Sequence, residues 1–103
     1  MAQIIWAPSA LKDIDLIARY ISKDSVLAAE NIVHLFFEKA AVLVKHPAFG
    51  KPVPEINSLK FREILVSRYR IIYEFTDDIV TIITVHHQSR LLKSNPSKKR
   101  LHQ

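Results

Sequence analysis

The sequence predicts one α+β domain of order βααβββ, an antiparallel sheet packed against an N-terminal helical hairpin. Three observations predict it. The chain has 103 residues, the length of a single domain with one core. Apolar residues recur at helical spacing between about residues 8 and 45, and with period two between 61 and 87. The chain's one glycine and three of its five prolines lie between these halves, in the loop 46–55.

Gln3-Ile4-Ile5-Trp6 is a run of β-formers and gives the first strand. Pro8 suits the first turn of a helix, where its missing N–H removes no bond. Leu11, Ile14, Ile17, Ala18 and Ile21 continue that helix at the right spacing. Ser22-Lys23-Asp24-Ser25 interrupts the pattern, and Asp24 or Ser25 can cap a second helix, expected from about Ser25 to Lys45. Ile32, Phe36 and Leu43 form its core stripe. Beside it runs a second stripe, Val33, Phe37, Ala41 and Val44, which is either further core or a surface awaiting a protein partner.

Residues 61–66, 69–76 and 79–87 then read as three strands in a meander, reversing at Ser67-Arg68 and at Thr76-Asp77-Asp78. Arg62 and Arg70 fall on a common strand parity. One face of such a sheet can stay open, although parity alone does not say which face the helices cover.

Residues 1–89 hold ten Lys/Arg and ten Asp/Glu, so the body is neutral. Arg90, Lys93, Lys98, Lys99 and Arg100 carry the formal net charge of +5. The expected organisation is a domain over 1–90 and a basic tail over 91–103, which is either solvated or in contact with nucleic acid or an acidic partner. There is no cysteine, which excludes disulfide and thiolate chemistry. The N-terminus lacks the charged and apolar regions of a signal peptide, and no apolar run is long enough to span a bilayer. A cytoplasmic protein without a membrane partner is expected.

His86 and His87 are adjacent, so on a strand they point to opposite faces and cannot chelate together; no metal or cofactor is expected. A single glycine leaves no phosphate-cradling loop. What remains is a basic cluster, Arg62, Arg68, Arg70, His87 and Arg90, interleaved with Tyr69 and Tyr73. A metal-free ribonuclease could use Arg to hold phosphate and His, Glu or Tyr to move protons. The same arginines also suit an ordinary sheet surface.

The segments IIWAPSALKDIDLIARYI, HPAFGKPVPEI and REILVSRYRIIYEFTDDIVTIITVHHQSR carry a family resemblance. With R-E-x-x-V-x-x-Y-R-I-I-Y as its most specific part, the chain resembles the RelE/ParE toxins of bacterial type II toxin–antitoxin systems. The resemblance implies the βααβββ fold, neutralisation by a cognate antitoxin, and action in the cytoplasm. It also allows a toxin homodimer within a toxin–antitoxin hetero-oligomer. The family contains two activities: some members cut mRNA on the ribosome, and the ParE branch is associated with poisoning DNA gyrase. One nuclease type carries a glutamate in the G-K-P-x-P loop, where this chain has Val53. It carries an arginine matched by Arg70, and a final His-Tyr pair where this chain has Gln88 and Ser89. Valine, glutamine and serine do not replace those groups in acid–base work.

The resemblance therefore implies a gyrase-binding inhibitor with no catalytic residues of its own. Val33, Phe37, Ala41, Val44, Arg68, Arg90 and Lys93 are its expected partner contacts. The alternative is a ribosome-dependent, metal-independent mRNA endoribonuclease using Arg62, Arg70, Tyr73, His87 and Arg90, with Lys60 in support.

Overall fold

A computed structural model describes residues 1–89. Arg90 and the tail, with Lys93, lie outside the described residues. β1 (Gln3–Trp6) leads into α1 (Pro8–Ser22) and α2 (Val26–Ala41). A 3-10 turn (Val42–Val44) and a two-residue strand β2 (Lys51–Pro52) follow. The meander comes last, as β3 (Phe61–Val66), β4 (Tyr69–Thr76) and β5 (Ile79–His87).

The local sequence accounts for the boundaries. Pro8 opens α1. Ser25, in extended conformation, caps α2 by accepting a hydrogen bond from the Ala28 N–H at 3.0 Å. The second helix stops at Ala41, short of the expected Lys45, because its last residues tighten into the 3-10 turn. That turn meets β1, and the Ala2 N–H donates to the Val44 carbonyl at 2.9 Å. At the β4–β5 reversal both Asp77 and Asp78 have positive φ, the backbone of a type I′ hairpin, which aspartate tolerates.

The sheet has five strands in the order β1-β5-β4-β3-β2. β1 was expected as a strand, but its place is set by long-range pairing: it lies parallel to β5, Ile4 opposite Val80 and Trp6 opposite Ile82. Beyond Trp6, α1 covers the same edge of β5. The Ala7 N–H donates to the Ile82 carbonyl, Ser9 Oγ to the Ile83 carbonyl, and the Val85 N–H to Asp13 Oδ2. Thr84 Oγ1 also donates to Asp13 Oδ2 at 2.5 Å. An otherwise open strand edge is thus satisfied by a helix and its side chains.

Two apolar clusters sandwich the sheet. On the helix side, Ala10, Ile14, Phe36, Ala40 and Leu43 pack with Ile64, Val66, Ile71, Tyr73, Val80, Ile82 and Val85. On the other side, Val53, Ile56, Phe61 and Ile72 form a smaller cluster with Ile83 against it. The second face is therefore not fully open: the segment after β2 folds across it.

This register corrects the parity expectation for the two arginines. Arg62 lies opposite Tyr73, and Leu65 opposite Arg70. Across a two-residue turn an even-numbered residue faces an odd-numbered one, so equal parity on successive strands means opposite faces. Arg62 shares the helix side with Tyr73, and Arg70 lies on the other side.

Candidate functional site

The 45–60 segment wraps around the outer edge of β3 and is fastened on both faces of the sheet. On the helix side the fastener is Tyr73, whose ring is fully buried. Its hydroxyl accepts a hydrogen bond from the Gly50 N–H at 2.9 Å and donates to the Pro47 carbonyl at 2.7 Å. Arg62 Nη1 donates to the Gly50 carbonyl at 2.9 Å. Gly50 is required by close approach: a Cβ there would lie 2.6 Å from Tyr73 Oη and 2.8 Å from the Glu63 carbonyl oxygen.

On the opposite side the fastener is Arg70, itself buried. Nη1 and Nη2 reach the two Glu55 oxygens at 2.7 and 2.6 Å, a bidentate pair. Nε and Nη2 both reach Glu63 Oε1, at 2.8 and 2.6 Å. Lys51 Nζ stands 3.8 Å from the other Glu63 oxygen. Two carboxylates are thus opposed by two cations. The bond to Glu55 is the main cause that raises the Arg70 pKa above its ordinary value; burial opposes it and Glu63 adds to it.

These partners decide what the expected catalytic set can do. Arg70 has its donors turned onto Glu55 and Glu63, so it does not present a free fork to phosphate. Burial raises the Tyr73 pKa, only partly offset by the Gly50 hydrogen bond and by Arg62, and the ring has no solvent access. It therefore stays a neutral phenol and is a poor proton donor, its O–H already given to the Pro47 carbonyl. His87 sits at the end of β5, half-buried, with its ring edge-on to Tyr69 at 5.5 Å. Its Nδ1 accepts from the Ser89 N–H at 3.1 Å and lies 2.8 Å from Ser89 Oγ. In this exposed local contact Nδ1 acts as the acceptor of the Ser89 N–H. Arg62, Arg70, Tyr73 and His87 therefore do not converge on one cleft. Tyr73 and Arg62 hold one half of the loop, Arg70 holds the other, and His87, opposite Tyr69 and one ladder position from Arg70, lies on the helix side of the sheet, the face opposite to Arg70. Val53, at the place of the nuclease glutamate, is a core residue with 1% exposure. Among the described residues no group of three or more His, Asp or Glu side chains could hold a metal ion.

The expected partner residues separate as well. Phe37 and Ala41 are exposed, whereas Val33 and Val44 are half-buried. Val44 leaves the stripe because the 3-10 turn breaks the helical progression. Phe37 is 42% exposed and packs on Trp6, ring centroids 4.5 Å apart. With Ala18, Val26, Ala29 and Val33 it lines a shallow groove between α1 and α2. Val26, Leu16, Tyr20 and Leu27 leave further apolar surface exposed on the same hairpin. Arg68 is exposed in the β3–β4 turn. Sequence reasoning missed Glu55, Glu63 and Gly50. Their one signal is compositional: two acids, of which one sits inside a strand, close to the chain's lone glycine.

A family model described as the ParE toxin of type II toxin-antitoxin system, parDE, matches residues 4–92. The chain belongs to the ParE toxin family. Toxin RelE2 of Caulobacter vibrioides is 33% identical over 92 residues, covering 88% of this chain and all of that protein. The fold is shared with the chromosomal ParDE TA system from P. aeruginosa. That chain superposes with a TM-score of 0.70 at 17% identity, over 84% of this chain and 96% of its own. The toxin-antitoxin complex RelBE2 from Mycobacterium tuberculosis gives 0.55 at 20% identity, over 86% and 93%. The expected α+β fold and the RelE/ParE resemblance are both borne out for this ParE-family chain. Among its described residues no helix is long and apolar enough to cross a membrane.

Proposed function

We propose that this toxin acts by binding and poisoning DNA gyrase, and that a cognate antitoxin neutralises it by covering the helical hairpin. One observation carries the first half. Two side chains that acid–base cleavage of RNA would use are already engaged in holding the fold, Arg70 by Glu55 and Glu63 and Tyr73 by Pro47 and Gly50, while His87 makes only an exposed local bond to Ser89. Metal-free RNA cleavage requires a base for the 2′-hydroxyl and an acid for the leaving oxygen, each contributing about 10² to 10⁴ in rate. A gyrase poison needs neither, because gyrase makes the DNA break itself. Purified toxin is expected to inhibit gyrase supercoiling and to leave mRNA on translating ribosomes intact. Codon-positioned mRNA cleavage that disappears in His87→Ala, with supercoiling unaffected, would install the endoribonuclease instead.

The second half rests on the apolar groove and on the solved relatives being toxin–antitoxin complexes. An amphipathic antitoxin helix laid between α1 and α2 would bury Phe37 and Val26. Phe37→Asp is expected to weaken antitoxin binding roughly thirtyfold, about 2 kcal/mol. Isolated toxin should keep its cooperative melt, since Phe37 is already partly solvated. Unfolding of the isolated variant would show that Phe37 is core and that the groove is no binding surface.

A further inference from the structure

The end of the 45–60 segment that Tyr73 fastens carries a side chain the fold does not use. Phe49 is 69% exposed, among the most exposed large apolar residues described. It is not loosely held. The Phe49 N–H donates to the His46 carbonyl at 3.0 Å, and the next residue, Gly50, is fixed by Tyr73 and Arg62. Three residues further on, Val53 is anchored in the second cluster. The chain thus holds an aromatic ring in water on a short, doubly bonded turn. Burial of apolar surface drives folding, so the fold gains little from this ring. A partner would gain twice, from the apolar area and from an ordering cost already met during folding.

The surroundings state the partner's charge. Residues 45–52 contain Lys45 and Lys51 and no acid. Of the acids flanking the turn along the chain, Glu55 and Glu63 are held by Arg70, with Lys51 3.8 Å from Glu63, and Glu38 stands beside His34, so among the described residues Lys45 is the turn's cation not already set against an acid. A cationic turn bearing one aromatic fits an apolar pocket rimmed by carboxylates. Nucleic acid is disfavoured because the two guanidiniums nearby face inward, Arg62 onto Gly50 and Arg70 onto the glutamates. We infer that Phe49 is the anchor with which the toxin engages an acid-rimmed pocket on its target protein, on a surface separate from the antitoxin groove. This rests on the gyrase reading above.

The test uses purified full-length toxin, gyrase and antitoxin. Phe49→Ser is expected to raise the concentration needed for half-inhibition of supercoiling at least tenfold. Lys45→Glu is expected to do so several-fold, with the difference shrinking at high salt. Neither variant should move the melting temperature or the antitoxin affinity. Unchanged inhibition by Phe49→Ser, or a matching loss of antitoxin affinity, overturns the inference while leaving gyrase as the target. Salt-sensitive binding of a single-stranded oligonucleotide that Phe49→Ser abolishes overturns it in favour of nucleic acid. Wild-type toxin that fails to inhibit gyrase removes the underlying reading, and this anchor with it.

Discussion

Replacing Arg70 with methionine is expected to destabilise the toxin by about 3–5 kcal/mol, the range for removing one member of a buried ion pair. In a domain of this size that is a fall in melting temperature on the order of 20 °C. Glu63 is buried and Glu55 nearly so, and without the guanidinium two carboxylates face each other with the exposed Lys51 ammonium as partial compensation. Arg70→Lys is expected to recover little, because a point charge cannot bridge both carboxylates as the planar fork does. The triple replacement Arg70→Met, Glu63→Leu, Glu55→Met is expected to recover most of the loss, since an apolar cluster of similar volume avoids the desolvation of three charges. A single variant that melts within a few degrees of wild type would show that the triad is not what holds the loop. The experiment also guards the functional reading: an inactive Arg70 variant means nothing for catalysis until its melting curve is known.

Gly50→Ala is the second large effect expected, about 1–3 kcal/mol, the usual cost of forcing extra volume into a packed site. The new methyl group would meet the Tyr73 hydroxyl and ring on one side and the Glu63 backbone oxygen on the other. A side chain can yield, but the backbone of a central ladder cannot yield cheaply. Tyr73→Phe removes the hydroxyl, and with it the bonds to Gly50 and Pro47. In that background Gly50→Ala should be less damaging, because the tightest contact, with the hydroxyl, is gone and the loop is already released, while the ring and the Glu63 oxygen still crowd the methyl group. A double-mutant cycle measured by denaturant unfolding should therefore show coupling of about 1 kcal/mol. Additive effects would mean that Gly50 and Tyr73 do not constrain each other.

The order of elements was legible because it rests on local signals. Pro8 and Ser25 mark helix starts by their own backbone chemistry, and the Asp77-Asp78 turn announces its hairpin. The position of β1 was not legible in that way. Its neighbour β5 lies more than seventy residues later, and parallel pairing leaves no turn to fix the register. The separation of Arg62 from Arg70 could have been read: a two-residue turn at Ser67-Arg68 fixes Val66 opposite Tyr69, and every other pair follows. The candidate site was less legible than the fold. Arg70 was singled out for its charge, yet its role depends on Glu55, which the loop brings across the sheet from fifteen residues away. Tyr73 looked like an interleaved aromatic of a basic patch, and only its burial shows that its hydroxyl faces a loop instead of a substrate. Residue type announces what a side chain can do; its partners determine whether it is free to do it.

The parallel pairing of the first strand with the last also bears on how the toxin is made. As the chain is synthesised, Gln3–Trp6 emerges long before Ile79–Ile82, the strand it joins. The same delay applies to α1, whose Ser9 and Asp13 take their long-range bonds from residues 83–85. Contacts of such high sequence separation form late. A chain interrupted before its final strand lacks one side of β4's ladder, the partner of β1 and the seat of α1. Chains truncated before β5 are therefore expected not to complete this fold, and the N-terminal strand to find its place only once Ile79–Ile82 is available.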